Sequence, residues 1–148
     1  MDWLRRPAEI PIAEEEFAMA DYTVVNLKQV ENAAEKHGFA PDLETRFARG
    51  PLELEQSGLS YLRIAPGFRL PFGHVHGEQE EVYLVVSGSA RVKVGDDIVE
   101  LGPWDALRMA PRAWHGVEAG PEGAEMLLFG APNTKNADVE MERGWWSD

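Results

Sequence analysis

After Pro41 the chain breaks into short runs rich in β-branched and aromatic residues, LSYLRI, EVYLVV, ARVKV, DIVEL, DALRM and AEMLLF, with Gly, Pro or Asp between them. Short strands at close intervals, separated by turn residues, mark an all-β sandwich or barrel. In ARVKV the valines alternate with Arg91 and Lys93, which gives that strand one dry face and one wet face. Gly95, Asp96 and Asp97 then predict a tight hairpin turn. The meander contains no phosphate-binding glycine loop and no long amphipathic helix. One half of the chain does not repeat the other, so a single barrel is expected.

Ahead of this β-rich part, Thr23 to Leu27 suit a short strand. A helix is predicted to follow, capped by Asn26 with Gln29 three positions on and stopped at Gly38, with Leu27, Val30, Ala34 and His37 on one face. His37 falls at the helix end, where an imidazolium complements the dipole, and reads as structural. Residues 1–20, rich in proline and acid at their start, are expected to form an N-terminal extension, flexible or added as a strand to a sheet edge. Residues 21–148 are expected to form one domain. Trp145 and Trp146 near the far end would expose a large apolar area unless they pack back onto the body or a neighbouring subunit.

Charge and composition narrow the partners. With 26 acidic and 14 basic residues, a formal charge of −12 repels phosphate backbones and anionic lipid, so neither nucleic acid nor a membrane is an expected partner. No apolar run reaches membrane-spanning length. Pro7, Pro11 and the acids Glu14 to Glu16 stand where a signal peptide needs an unbroken apolar stretch, and the expected location is the cytoplasm. The chain has no cysteine, so disulfides and thiolate chemistry are excluded and any metal must be held by nitrogen and oxygen.

The chemistry concentrates in GFRLPFGHVHGEQEEVYLVVSG, residues 67–88. His74 and His76 are two apart, and in an extended strand that spacing points both imidazoles to one face, where they can share an ion. Gly77 lets the backbone turn, and an acidic cluster follows from which a carboxylate can swing back. Glu80 and Glu81 compete for that role because adjacent strand residues face opposite ways, and Gln79 shares the parity of Glu81. The remaining unassigned histidine, His115, follows APRAW where a new strand would begin, a position suited to the mouth of a barrel. Imidazole and carboxylate together suit a divalent ion such as Fe, Mn, Ni, Zn or Co. The competing reading is a solvated acidic turn beside two surface histidines.

The stretch resembles the first motif of the cupin superfamily, G-x-H-x-H-x-E-x-G with characteristic gaps. His74, one residue, His76, four residues, Glu81, six residues and Gly88 match its ligand spacing, with Gly67 one residue further upstream than the commonest form. The second cupin motif is matched more loosely by GPWDALRMAPRAWHGV, residues 102–117, through Gly102, Asp105, Pro111 and His115. Ala110 and Arg112 stand where Pro and Gly are common, and no Asn follows the histidine. The resemblance spans roughly residues 55–130. It implies an antiparallel jelly-roll barrel, one divalent metal ion held by His74, His76, Glu81 and His115, and a homodimer.

Around that ion, Tyr83 shares the face of Glu81 and is a candidate to bond a substrate. Arg63, Tyr61 and Trp114 are candidates to line the cavity, with Arg63 able to grip a carboxylate or phosphate. Phe72 and Trp104 read as core or rim. The leading expectation is a metal-dependent enzyme, dioxygenase- or isomerase-like, acting on a small oxygenated molecule, with Tyr83 or Arg63 orienting it. The alternative is a barrel that binds or senses a small molecule without turnover. A metal-free epimerase-like cupin fits less well, because that chemistry pairs a His base with Asp and Tyr while these histidines sit at ligand spacing.

Overall fold

The computed structural model describes residues 21–148, and the expected extension at 1–20 lies outside them. A 3-10 turn at Leu27–Gln29 and a short helix, α1 (Ala33–Lys36), lead into eight strands: β1 (Leu43–Phe47), β2 (Gly58–Ile64), β3 (Phe72–His76), β4 (Glu80–Val94), β5 (Asp97–Leu101), β6 (Ala106–Met109), β7 (His115–Ala131) and β8 (Val139–Arg143). All pairings are antiparallel. The order β1-β2-β7-β3-β8 makes one side, and β4 joins β7 to β5 and β6. The sheet curls into an antiparallel half-barrel of the jelly-roll kind, with the short helix α1 ahead of its first strand. No helix among the described residues is long and apolar enough to cross a membrane.

The two long strands hold the barrel together. EVYLVV and ARVKV are one strand, β4, which pairs with β7 along most of its length. Glu81, Tyr83 and Val85 are buried at odd positions, whereas Ala90 and Val92 are buried at even ones. The register shift between Val85 and Ser87 accounts for the change, since β4 advances two residues there against one on β7 and the extra residue reverses which face the following side chains occupy. Both halves of β4 thereby contribute to one core with Leu62, Ile64, Met109, Val117 and Met126. Burying each such side chain contributes about 1.5–3 kcal/mol before entropy is counted.

The helix predicted from Leu27 to His37 does not run through. Asn26 caps the 3-10 turn by accepting from the Lys28 N–H, but Val30 is extended (ψ 146°) and α1 starts afresh after Asn32. The Asn32 side-chain oxygen accepts from the N–H of Ala34 at 3.1 Å and from the N–H of Thr45 on β1 at 3.0 Å, a bridge to the sheet that a continuous helix would break. Nor do Thr23 to Leu27 make a strand: residues 22–26 have no ladder partner, and Leu27 opens the 3-10 turn.

The tryptophans near the C-terminal end pack back, as expected. Trp146 is buried with the Arg69 guanidinium 4.1 Å above its ring. Trp145 stacks on Trp114 at 6.1 Å and lies so close to Gly73 that a Cβ there would sit 2.5 Å from the indole. Because Gly73 and His74 alternate along β3, Trp145 covers the face of that strand opposite His74. Trp104 is 71% exposed, a rim position, and Phe72 meets the edge of Phe39 at 6.2 Å.

Candidate metal centre

Three strands deliver four side chains to one point. His74 and His76 lie on β3 two residues apart, His74 faces His115 across the single β3–β7 pair, and Glu81 comes from the start of β4. The Nε2 atoms of His76, His115 and His74 stand 2.8, 3.1 and 3.2 Å from the same Glu81 oxygen, Oε1. The ligating atoms of His74, Glu81 and His115 all lie within 4.8 Å of one another. Glu80 points away, exposed, and meets Arg108 at 3.3 Å. Gln79 also stays out of the cluster, its side chain lying against Gly130 and donating to the Pro132 carbonyl at 3.2 Å.

Hydrogen bonding alone leaves this arrangement oversubscribed. A carboxylate oxygen has two lone pairs, and here three imidazole nitrogens face one such oxygen. Two ligands bound at a right angle to a divalent ion, each about 2.1 Å from it, stand about 3.0 Å apart, which matches the observed spacing. The donors of His74, Glu81 and His115 therefore fit a divalent ion, with His76 Nε2 beside them on the same carboxylate oxygen.

Two of the imidazoles are oriented from behind. His115 Nδ1 is 2.9 Å from the Ala113 carbonyl oxygen, to which it donates, and this fixes the ring with Nε2 toward the cluster. His76 Nδ1 lies 3.3 Å from Asp138 Oδ1. Burial acts on every group in the cluster, and the partners decide the outcome. Burial pushes the Glu81 carboxyl up, but the three imidazoles outweigh it and hold that group far below the usual carboxylate range. Burial pulls the His74 imidazole down despite Glu81, whereas at His76 it is outweighed by Glu81 and Asp138, which raise it. Burying a carboxylate costs several kcal/mol unless partners offset it, so a cluster of this kind points to chemistry rather than to packing.

Tyr83 shares the inner face with Glu81, is buried, and sets its ring edge against His115 at 5.5 Å. Burial and the Glu81 charge push its phenol well above the ordinary value, which keeps it a neutral donor. Arg63 is not brought to the site. Leu62 and Ile64 point into the core, so Arg63 faces outward, 2.8 Å from Glu44 and 3.2 Å from the Pro41 carbonyl. Tyr61 shares that outer face, bonded to Glu125 at 2.5 Å under Lys28. Trp114 is occupied by Trp145. The expectation that these three line the cavity is corrected by strand alternation for Arg63 and Tyr61 and by the C-terminal segment for Trp114. Asp138 had no sequence signal, being one acid in a polar stretch 62 positions from its imidazole.

The family model described as a cupin domain matches residues 60–130, the span that supplies all four converging side chains. The resemblance to the cupin superfamily is borne out over that span, just under half of the chain, and by a cupin protein among its structural neighbours. Among solved cupin-fold structures, a cupin protein from Bacteroides fragilis aligns with a TM-score of 0.63 at 21% identity, over 78% of this chain and 88% of that one. A variant oxalate decarboxylase from Bacillus subtilis aligns with a TM-score of 0.68 at 21% identity, over 88% of this chain but 35% of the larger protein. The Streptomyces nucleoside dehydratase Pac13 aligns with a TM-score of 0.62 at 16% identity, over 85% of this chain and 92% of that one. No curated protein sequence matches this chain at a significant level.

Proposed function

We propose that this cupin is a metal-dependent enzyme, an oxidoreductase or isomerase, acting on a small oxygenated organic molecule, with His74, His76, Glu81 and His115 holding one divalent ion. The observation that carries the reading is the convergence of three imidazole Nε2 atoms on Glu81 Oε1. A bound ion would supply Lewis-acid polarisation of a carbonyl or enol oxygen, or a site for dioxygen. The chain's own residues present it: His115 and His76 are held in the orientation that offers Nε2, and Glu81 stays ionised by virtue of its partners. In this reading Tyr83, kept protonated and with its ring against His115, donates a hydrogen bond to a substrate oxygen. Arg63 has no part in this reading, since its guanidinium is engaged on the outer face. One fold hosts both a decarboxylase and a dehydratase among its relatives, so the reaction is argued from the site.

The second reading, a binding or sensing barrel without turnover, draws on the apolar surroundings of the cluster, where Leu62, Val85, Met109 and Met126 form the core with Tyr83. Elemental mass spectrometry of untagged protein separates the possibilities. About one equivalent of metal per chain, lost in His76→Ala, is the expected result, followed by oxygen uptake or isomerisation with small enols and diketones. Metal with binding but no conversion favours the sensing barrel, and no metal under any loading condition overturns the metal site itself.

We propose as well that residues 21–148 are one domain behind an N-terminal extension, and that the protein is a cytoplasmic homodimer. Among the described residues β1 pairs only with β2, its Phe47 is 54% exposed, and Tyr22 and Val24 are exposed ahead of it, which is apolar surface of the kind a partner copy covers. The absence of cysteine agrees with a reducing compartment.

A further inference from the structure

Residues 132–138 lie beyond the span matched by the cupin-domain model, yet they bind the turn that carries the site. That turn, His76 to Glu81, joins the second histidine to the carboxylate. Its Gly77 N–H donates to the Asp138 carbonyl at 3.0 Å, and the N–H groups of Glu78 and Gln79 both donate to Asp138 Oδ2 at 3.0 Å. Asp138 Oδ1 accepts from the Thr134 hydroxyl at 2.5 Å and faces His76 Nδ1 at 3.3 Å. β8 then runs antiparallel to β3, with Val139 opposite His76 and Met141 opposite His74. One carboxylate thus anchors three elements: the ligand turn, the imidazole of His76 and the start of β8.

We infer that Asp138 is a positioning residue for the metal centre, fixing the ring of His76 and the turn to Glu81 so that the C-terminal segment completes a site whose ligands all lie elsewhere. This rests on the metal-binding reading above. A carboxylate behind a ligating histidine fixes its tautomer and orientation, and removing such a partner typically costs 10- to 100-fold in metal affinity. The Asp138 carboxylate also satisfies two backbone donors that would otherwise require water, so its loss loosens the turn as well as the ring.

Cobalt binding to the full chain tests this, with affinity measured by chelator competition and geometry by the visible d–d bands. Asp138→Ala is expected to bind Co2+ about 10- to 100-fold more weakly with displaced bands. Asp138→Asn, which keeps the size and one acceptor, is expected to fall between it and the parent, and it stands in if the alanine variant does not fold. Gln79→Ala removes the side-chain bond to Pro132 without touching His76, and it should leave both affinity and bands near those of the parent. Unchanged affinity and bands in both Asp138 variants overturn the inference while leaving the metal site standing. Equal losses in Gln79→Ala and the Asp138 variants, with unshifted bands, also overturn it, because they reduce Asp138 to an attachment point. A parent protein that binds no cobalt overturns the metal reading and this inference together.

Discussion

Glu81→Gln is expected to weaken divalent-metal binding by more than about 100-fold, beyond the upper end of what removal of an outer partner costs. The substitution keeps the shape of the side chain and removes its charge, and Oε1 of that side chain is the atom on which His74, His76 and His115 converge. Chelator competition with Zn2+ or Co2+ on both proteins, with circular dichroism to establish that each is folded, reads the effect. An affinity within tenfold of the parent would mean that the histidines suffice and that Glu81 serves only as their hydrogen-bond acceptor. Glu80→Gln is the companion control: that side chain is exposed and paired with Arg108, and the variant should bind as the parent does.

The second large effect is on the fold. Gly88→Ala is expected to cost more than about 3 kcal/mol, a large share of the roughly 5–15 kcal/mol by which domains are stable. Gly88 has a φ of 74°, where a residue with a Cβ pays about 1–2 kcal/mol, and its Cβ would lie 2.0 Å from the Gly123 carbonyl oxygen. The carbonyl is backbone of β7 and the Cβ is fixed by the backbone of β4 at the joint between its two halves, so neither can yield without disturbing the ladder between them. Gly95→Ala separates the two contributions. Its φ is also positive, at 57°, but nothing lies within 4 Å of the added Cβ, so only the backbone term should appear. Urea unfolding of the three proteins measures the differences, and a Gly88→Ala midpoint close to that of Gly95→Ala would contradict the close approach.

The barrel was legible because its strands bury one face. Alternation in ARVKV announces such a strand, short apolar runs between turn residues mark LSYLRI and DIVEL, and the turn at Gly95 and Asp96 joins Val94 to Asp97 as the composition predicts. β1 and β8 gave no such signal: LETRF and VEMER lie at the two ends of the sheet order and are largely exposed or half-buried, so burial imposes little pattern on them. EVYLVV and ARVKV look like two strands because the register shift between Val85 and Ser87 reverses the parity of β4. At the site, period-two spacing sufficed to bring His74 and His76 to one face. The same rule, applied to Leu62 and Ile64, places Arg63 outside the barrel. Asp138 could not be found this way, since its contact with His76 depends on how a distant segment folds back, and no local periodicity encodes that.

Anomalous diffraction from crystals of the metal-loaded protein, recorded at the absorption edge of the bound ion, tests the central claim most directly. The account predicts one peak per chain, within bonding distance of Nε2 of His74, His76 and His115 and of a Glu81 carboxylate oxygen. A peak elsewhere on the surface, or none while the three imidazoles still crowd Glu81 Oε1, would contradict it.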